Sequence, residues 1–85
     1  MTYRQALLAT LLEVYQNKIE ELSLEMDELE FASQEWQKVA KRHYAERMKR
    51  QGAKELAFVL GIISEDEYDS CTSDLIEALK VQNEQ

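Results

Sequence analysis

Residues 8–36 read LATLLEVYQNKIEELSLEMDELEFASQEW, and the spacing of the large apolar residues in this stretch decides the fold. Leu8, Leu12, Tyr15, Ile19, Leu22, Met26, Leu29 and Trp36 recur in alternating steps of four and three, interrupted only at Ser33. That is a heptad seam, with apolar side chains at the a and d positions. A stripe this narrow needs a second helix to cover it, because a lone amphipathic helix is marginal in water. Helix–helix association therefore organises the chain.

The rest of the chain suits an all-α protein. No Pro is present, and Gly52 and Gly61 are the sole glycines, so little interrupts a helix. At 45% hydrophobic and 32% charged the chain is too apolar for disorder. Eighty-five residues make one small helical domain, 1–85, whose core is small enough to gain from sharing with a second copy.

The first helix is expected over 2–51. Thr2 with Gln5 three residues on has a capping-box pattern, and the heptad phase runs across Ser23 and Ser33 without a reset. Such a helix would be about 75 Å long. A hairpin broken near Ser33 is the alternative. After Ala40 the seam positions become His43, Arg47 and Arg50 and lose their apolar character.

A short helix is expected over 53–60, stopped by Gly61 in a left-handed conformation, with Ile62 packing back on Leu56 or Ala57. Ser64-Glu65-Asp66-Glu67 then reads as an N-cap with its capping box, and Ile63 with Tyr68 as the hydrophobic staple. The last helix, 65–81, offers Tyr68, Cys71, Leu75 and Leu79 as an apolar stripe, and 82–85 is expected to fray. That helix should cover Leu24 and Phe31, which stand opposite the seam. Leu7, Leu11 and Val14 should be buried against Leu56, Val59, Leu60 and Ile63.

The net charge of −7 is segregated. Residues 13–35 hold eight acids against Lys18; residues 38–54 hold Lys38, Lys41, Arg42, Arg47, Lys49, Arg50 and Lys54 against Glu46; residues 65–84 are acidic again. Alternation of this kind suggests packing between unlike segments, or a charged partner that meets the basic block through Lys38, Lys41, Arg42, Arg47, Lys49 and Arg50.

Several chemistries lack their residues. Ala57 and Gly61 stand four apart, as in a helix-turn-helix, but the would-be recognition helix opens Glu65-Asp66-Glu67-Tyr68-Asp69, and phosphates repel carboxylates. Glu21, Glu25 and Glu28 share a helix face without the His of a di-iron site, and 65–69 lacks the spacing of a calcium loop. His43 has no neighbouring ligand and reads as a polar layer in the seam. No phosphate loop or nucleophile–base pair stands out, so no catalytic, metal or cofactor residues are assigned. Cys71 is alone, which points to a reducing compartment and to a small core residue. The uncharged runs are too short to span a bilayer, and 5–12 makes a poor signal peptide, so a cytoplasmic protein with no membrane association is expected.

These features together predict a long coiled-coil-type helix, a short helix and a C-terminal helix, forming a bundle on homodimerisation. Antiparallel pairing is favoured, since it sets Ser33 and Ala40 against Tyr15 and Leu8 of the other copy. The expected role is non-enzymatic: a small homodimeric regulator, adaptor or inhibitor that binds an unidentified partner protein. The alternative is an acidic nucleic-acid mimic, such as a virus-encoded nuclease inhibitor. Sequence-specific DNA binding is not expected.

Overall fold

The computed structural model describes residues 3–84, and these form α1 (Tyr3–Asp27), α2 (Gln34–Val59), α3 (Glu65–Asp69) and α4 (Thr72–Glu84). The all-α class expected from the sequence is what the chain adopts, with no strand among the described residues. The capping box expected of Thr2 and Gln5 lies outside the described residues, as does Gln85 at the end expected to fray. α4 stays helical to Glu84.

The single helix expected over 2–51 does not form. The chain turns back at residues 28–33, and α1 and α2 make an antiparallel hairpin. Three features explain the break. The last turn of α1 has acids and no basic residue, which sets negative charge against the negative end of the helix dipole. Ala32 takes a left-handed conformation, φ +63°, within a turn closed by the Ser33 amide donating to the Glu30 carbonyl at 3.1 Å. Ser33 then caps α2, its Oγ accepting from the Trp36 amide at 3.2 Å. The molecule measures 46 × 24 × 18 Å, far short of an extended 50-residue rod.

The fold-back gives the seam its cover inside one chain. Leu8, Leu12, Ile19 and Leu22 are buried and Tyr15, Met26, Leu29 and Trp36 half-buried. Half of the seam is thus buried by the fold-back itself, without a second copy. Ordering a segment already tethered by a six-residue turn avoids the entropy of bringing two molecules together.

The expected helices 53–60 and 65–81 are also redrawn. Residues 53–59 simply continue α2, because Gly52 is tolerated within the helix. α2 ends in a Schellman turn: Gly61 has φ +73°, its amide donates to Phe58 O at 3.0 Å, and the Ile62 amide donates to Ala57 O at 2.8 Å. The Ser64–Glu67 capping box forms as expected, with Ser64 N donating to Glu67 Oε1 at 2.9 Å and Glu67 N to Ser64 Oγ at 3.2 Å.

The last helix is interrupted at Ser70 and Cys71, where a run of Asp, Ser, Cys, Thr and Ser has poor helix propensity. Ser70 Oγ donates to Glu67 O at 2.7 Å, and Lys54 Nζ donates to Ser70 O at 3.1 Å. The kink lets Tyr68 face α2 while Leu75, Ile76 and Leu79 face α1. Cys71, expected in the core, is exposed instead. Leu8, Ala9, Leu12, Ala57, Ile63, Leu75, Ile76 and Leu79 form the core cluster at this end of the hairpin. Leu24 and Phe31, expected under the C-terminal helix, are exposed at the far end, where Phe31 meets Trp36 edge-on at 4.9 Å.

Candidate docking groove

α4 covers one side of the α1–α2 hairpin and leaves an open groove of about 250 Å³ between the same two helices, lined among the described residues by no residue of α4. Leu7 and Leu11 of α1 stand across from Leu56 and Leu60 of α2, over Leu8, Ala53 and Ala57. Sequence reasoning placed these leucines together but buried. They do come together, yet Leu56 and Leu60 remain 60% and 58% exposed. Nothing in the spacing could reveal this, since a stripe of leucines reads alike whether covered or open.

Local structure fixes the groove's mouth. The Schellman turn presents Ile62 beside Leu60, and Gln5 Nε2 donates to the Ile62 carbonyl at 3.1 Å, tying the start of α1 to the end of α2. Arg4 sits at the rim. Further along the hairpin a more polar recess is lined by Val14, Lys18, Glu21, Glu46 and Lys49, where Lys18 pairs with Glu21 at 3.7 Å and Lys49 with Glu46 at 3.3 Å.

The basic block divides. Lys38, Lys41, Arg42, Arg47 and Lys49 are exposed, and among the described residues the first four make no ion pair. Arg50 departs from the expected partner-binding set: it is half-buried and donates to Gln16 Oε1 at 2.8 Å inside the hairpin. Lys54 is buried as well. Positions 38, 42, 45, 49, 52 and 56 follow steps of four and three, so Lys38, Arg42 and Lys49 share a stripe of α2 with Leu56. The groove wall thus passes from apolar to basic along one helix.

The acid-rich part of α1 lies antiparallel to this basic helix. Across the interface Ser23 Oγ meets His43 Nε2 at 3.0 Å, the polar layer expected of His43. Burial first, then the charges of Arg47 and Arg50, hold the imidazole below its ordinary value of 6.5. The one ion pair joining different helices among the described residues is Lys80–Glu13 at 2.8 Å.

Other candidate chemistries find different surroundings. α3 is five residues long with Glu65, Asp66 and Asp69 exposed, so the segment after the Ala57–Gly61 turn presents carboxylates. Among the described residues no three His, Cys, Asp or Glu groups converge as metal ligands would. No described helix is long and apolar enough to cross a membrane. The chain matches no family model, and comparisons with curated proteins and with solved structures return no match.

Proposed function

We propose that this chain is a non-enzymatic interaction module whose α1–α2 groove receives an amphipathic helix of a partner protein, with leucine-like residues on one face and acids beside them. The observation that carries this is the juxtaposition of Leu7, Leu11, Leu56 and Leu60, exposed around a shared groove. Contiguous exposed apolar surface of this kind marks interaction sites far more often than scattered exposed leucines do. The volume, about 250 Å³, falls below the roughly 300–1,000 Å³ of small-molecule pockets, and leucines from two helices wall the groove, which suits helix-in-groove recognition. Lys38 and Arg42 stand in line with Leu56 but roughly 20–27 Å along α2, outside the groove, where they would speed the approach of an occupant whose acids extend beyond its leucine face.

A fluorescently labelled helical peptide with leucines at i, i+4 and i+7 and glutamates on one flank tests this reading. Binding to the parent is expected, with loss on Leu11→Gln or Leu56→Gln and unchanged far-UV helicity, because both side chains are already exposed. Reversing Lys38, Arg42 and Lys49 to Glu should weaken binding and flatten its salt dependence. A dimer in sedimentation equilibrium, abolished by Leu56→Gln, would make a second copy the occupant instead. A monomer blind to the peptide would end the proposal. The acidic-mimic alternative draws less support, since five exposed cations on α2 interrupt the negative field a mimic of nucleic acid needs.

A further inference from the structure

On the α4 side of the hairpin, away from the docking groove, a second cleft of about 340 Å³ is polar and, among the described residues, carries no carboxylate in its lining. Arg50 and Lys54 of α2, Gln16 of α1, and Thr72 and Ser73 at the first turn of α4 line it. We propose that this cleft binds a tetrahedral oxyanion, a phosphate or the phosphoryl group of a small phosphomonoester.

Four observations converge on that chemistry. Lys54 is 7% exposed, yet among the described residues it has no carboxylate partner. Its ammonium donates one hydrogen bond, to Ser70 O at 3.1 Å, and lies 5.7 Å from the centre of the Tyr68 ring, leaving two N–H groups to place. A buried cation without a counter-charge is costly, and an anion in the adjoining cleft removes that cost. Second, the Arg50 guanidinium is held at the cleft by Gln16 Oε1 at 2.8 Å, a neutral acceptor that leaves its charge uncompensated. Third, Thr72 lines the cleft and its hydroxyl, open to the cleft, makes no hydrogen bond among the described residues, so its donor is available to a ligand. A hydroxyl on a cleft wall with its O–H uncommitted can donate to an acceptor bound there.

The fourth observation is the backbone. The Cys71 carbonyl accepts the Leu75 amide at 3.0 Å, which places Cys71 at the N-cap of the 13-residue α4. A thiol is a poor acceptor there, so the first amides of α4 keep their donors and the positive end of the dipole for a ligand. The support around the cations is also fixed in place: Tyr68 Oη accepts from Gln51 Nε2 at 3.0 Å, while its ring lies beside Lys54. Two cations, a hydroxyl and a helix terminus line one cleft, a donor set that suits a singly or doubly charged oxyanion. The volume lies at the small end of ligand pockets, enough for a phosphoryl group with a short organic substituent. Asp74, in the same first turn, is exposed and outside the lining; it opposes the anion from a distance.

Amide and arginine side-chain resonances, followed while inorganic phosphate replaces chloride at constant ionic strength, test the site. Saturable shifts centred on Thr72, Ser73 and Arg50 are expected, with those of Lys38, Lys41 and Arg42 small and linear. Lys54→Met and Arg50→Gln should each weaken binding about ten- to a hundredfold, the value of a charge-assisted hydrogen bond. Ser73→Asp, which puts a carboxylate where the anion would sit and suits a helix start, should abolish binding while the protein melts no earlier than the parent. That variant keeps the test decisive if Lys54→Met fails to fold. Asp74→Asn should tighten binding. Phenyl phosphate in place of phosphate separates the sources: tighter binding marks a phosphorylated ligand, equal binding the free ion. A response that does not saturate, or one that Arg50→Gln and Ser73→Asp leave intact, overturns the proposal.

Discussion

The two ends of the hairpin use the same α1 seam against different partners. Where α1 begins and α2 ends, Leu8 and Leu12 pack with Ala57, Ile63, Leu75, Ile76 and Leu79, so three helices enclose the apolar side chains. Towards the turn, Leu22 and Val39 are buried, but Met26, Leu29 and Trp36 are half-open and no third helix covers them. Between the ends polar pairs flank the buried Ile19, with Ser23 against His43 and Gln16 against Arg50. A continuous seam on one helix therefore does not make a continuous core. The opposing residues decide how much burial the seam gains, and the third helix decides where the core is closed.

Core truncations should separate the ends most sharply. Leu12→Ala or Leu79→Ala removes a side chain with no exposed surface and should cost about 2–5 kcal/mol. Leu29→Ala, at the half-open turn, should cost about 1 kcal/mol, because part of its surface never leaves water. Urea midpoints read both. Equal costs would mean that the turn end is closed by contacts the three-helix end does not own. Hydrogen exchange on the parent sharpens the contrast: amides near 22–27 and 34–40 should open below the global free energy, and those near 8–12 and 75–79 only with it.

The sequence showed the seam, the Gly61 stop and the Ser64 cap because each is a local pattern with a local cause. It misread the break at 28–33 for a physical reason. A six-residue turn between antiparallel helices happens to keep Trp36 in phase with Leu29, so heptad counting cannot tell a rod from a hairpin. The acids crowding the end of α1 and the cap at Ser33 were the available signals. The same count carried beyond Arg50 reaches Lys54 and Ala57, which are buried on the inner face of α2. Extending the phase through polar positions would have found the buried lysine; reading 38–54 by its charge, as one block facing unlike segments or a partner, hid it. The openness of the docking groove was not legible, since it depends on which side of the hairpin α4 chooses.

The two left-handed residues give a paired test of the same contrast, smaller in size. Gly61 has nothing within 4 Å of where a Cβ would stand, so Gly61→Ala costs backbone strain alone, about 1–2 kcal/mol. Ala32 already bears that strain at φ +63°, and Ala32→Gly should release it, leaving a gain of less than about 1 kcal/mol once glycine's extra unfolded-state freedom is counted. Opposite signs in thermal melts are expected. If both changes destabilise, the turn at 28–33 is not the conformation Ala32 opposes.

The cap residues should follow. Ser64→Ala and Ser33→Ala each remove an acceptor from a helix start, at about 0.5–2 kcal/mol. Ser64 should lie at the upper end, because its change also frees Glu67, whose Oε1 returns the bond to the Ser64 amide and whose Oε2 is buried without a partner. Denaturation midpoints in the same buffer decide the order. Ser33→Ala as the costlier change would place more of the fold's stability in the two-helix turn than its burial suggests.

The smallest expected effect belongs to the polar layer between the ends, and it depends on pH. His43 is the chain's one histidine, and burial, then Arg47 and Arg50, depress its pKa below 6.5. The unfolded chain then binds a proton more readily than the folded one, so stability falls as protons are added. The contribution is fully present well above pH 6.5 and is lost as pH falls from there through the depressed value, a window that opens above the range in which ordinary carboxylates titrate. Melting temperature should decline modestly across that window in the parent and stay level in His43→Gln, whose amide can keep a hydrogen bond to Ser23. Arg47→Gln removes one of the charges that oppose imidazolium, so it should raise the pKa read from the single histidine proton resonance and shrink the slope. A parent whose stability rises as pH falls through that window would mean that the acids of α1 govern His43 more than the arginines of its own helix do.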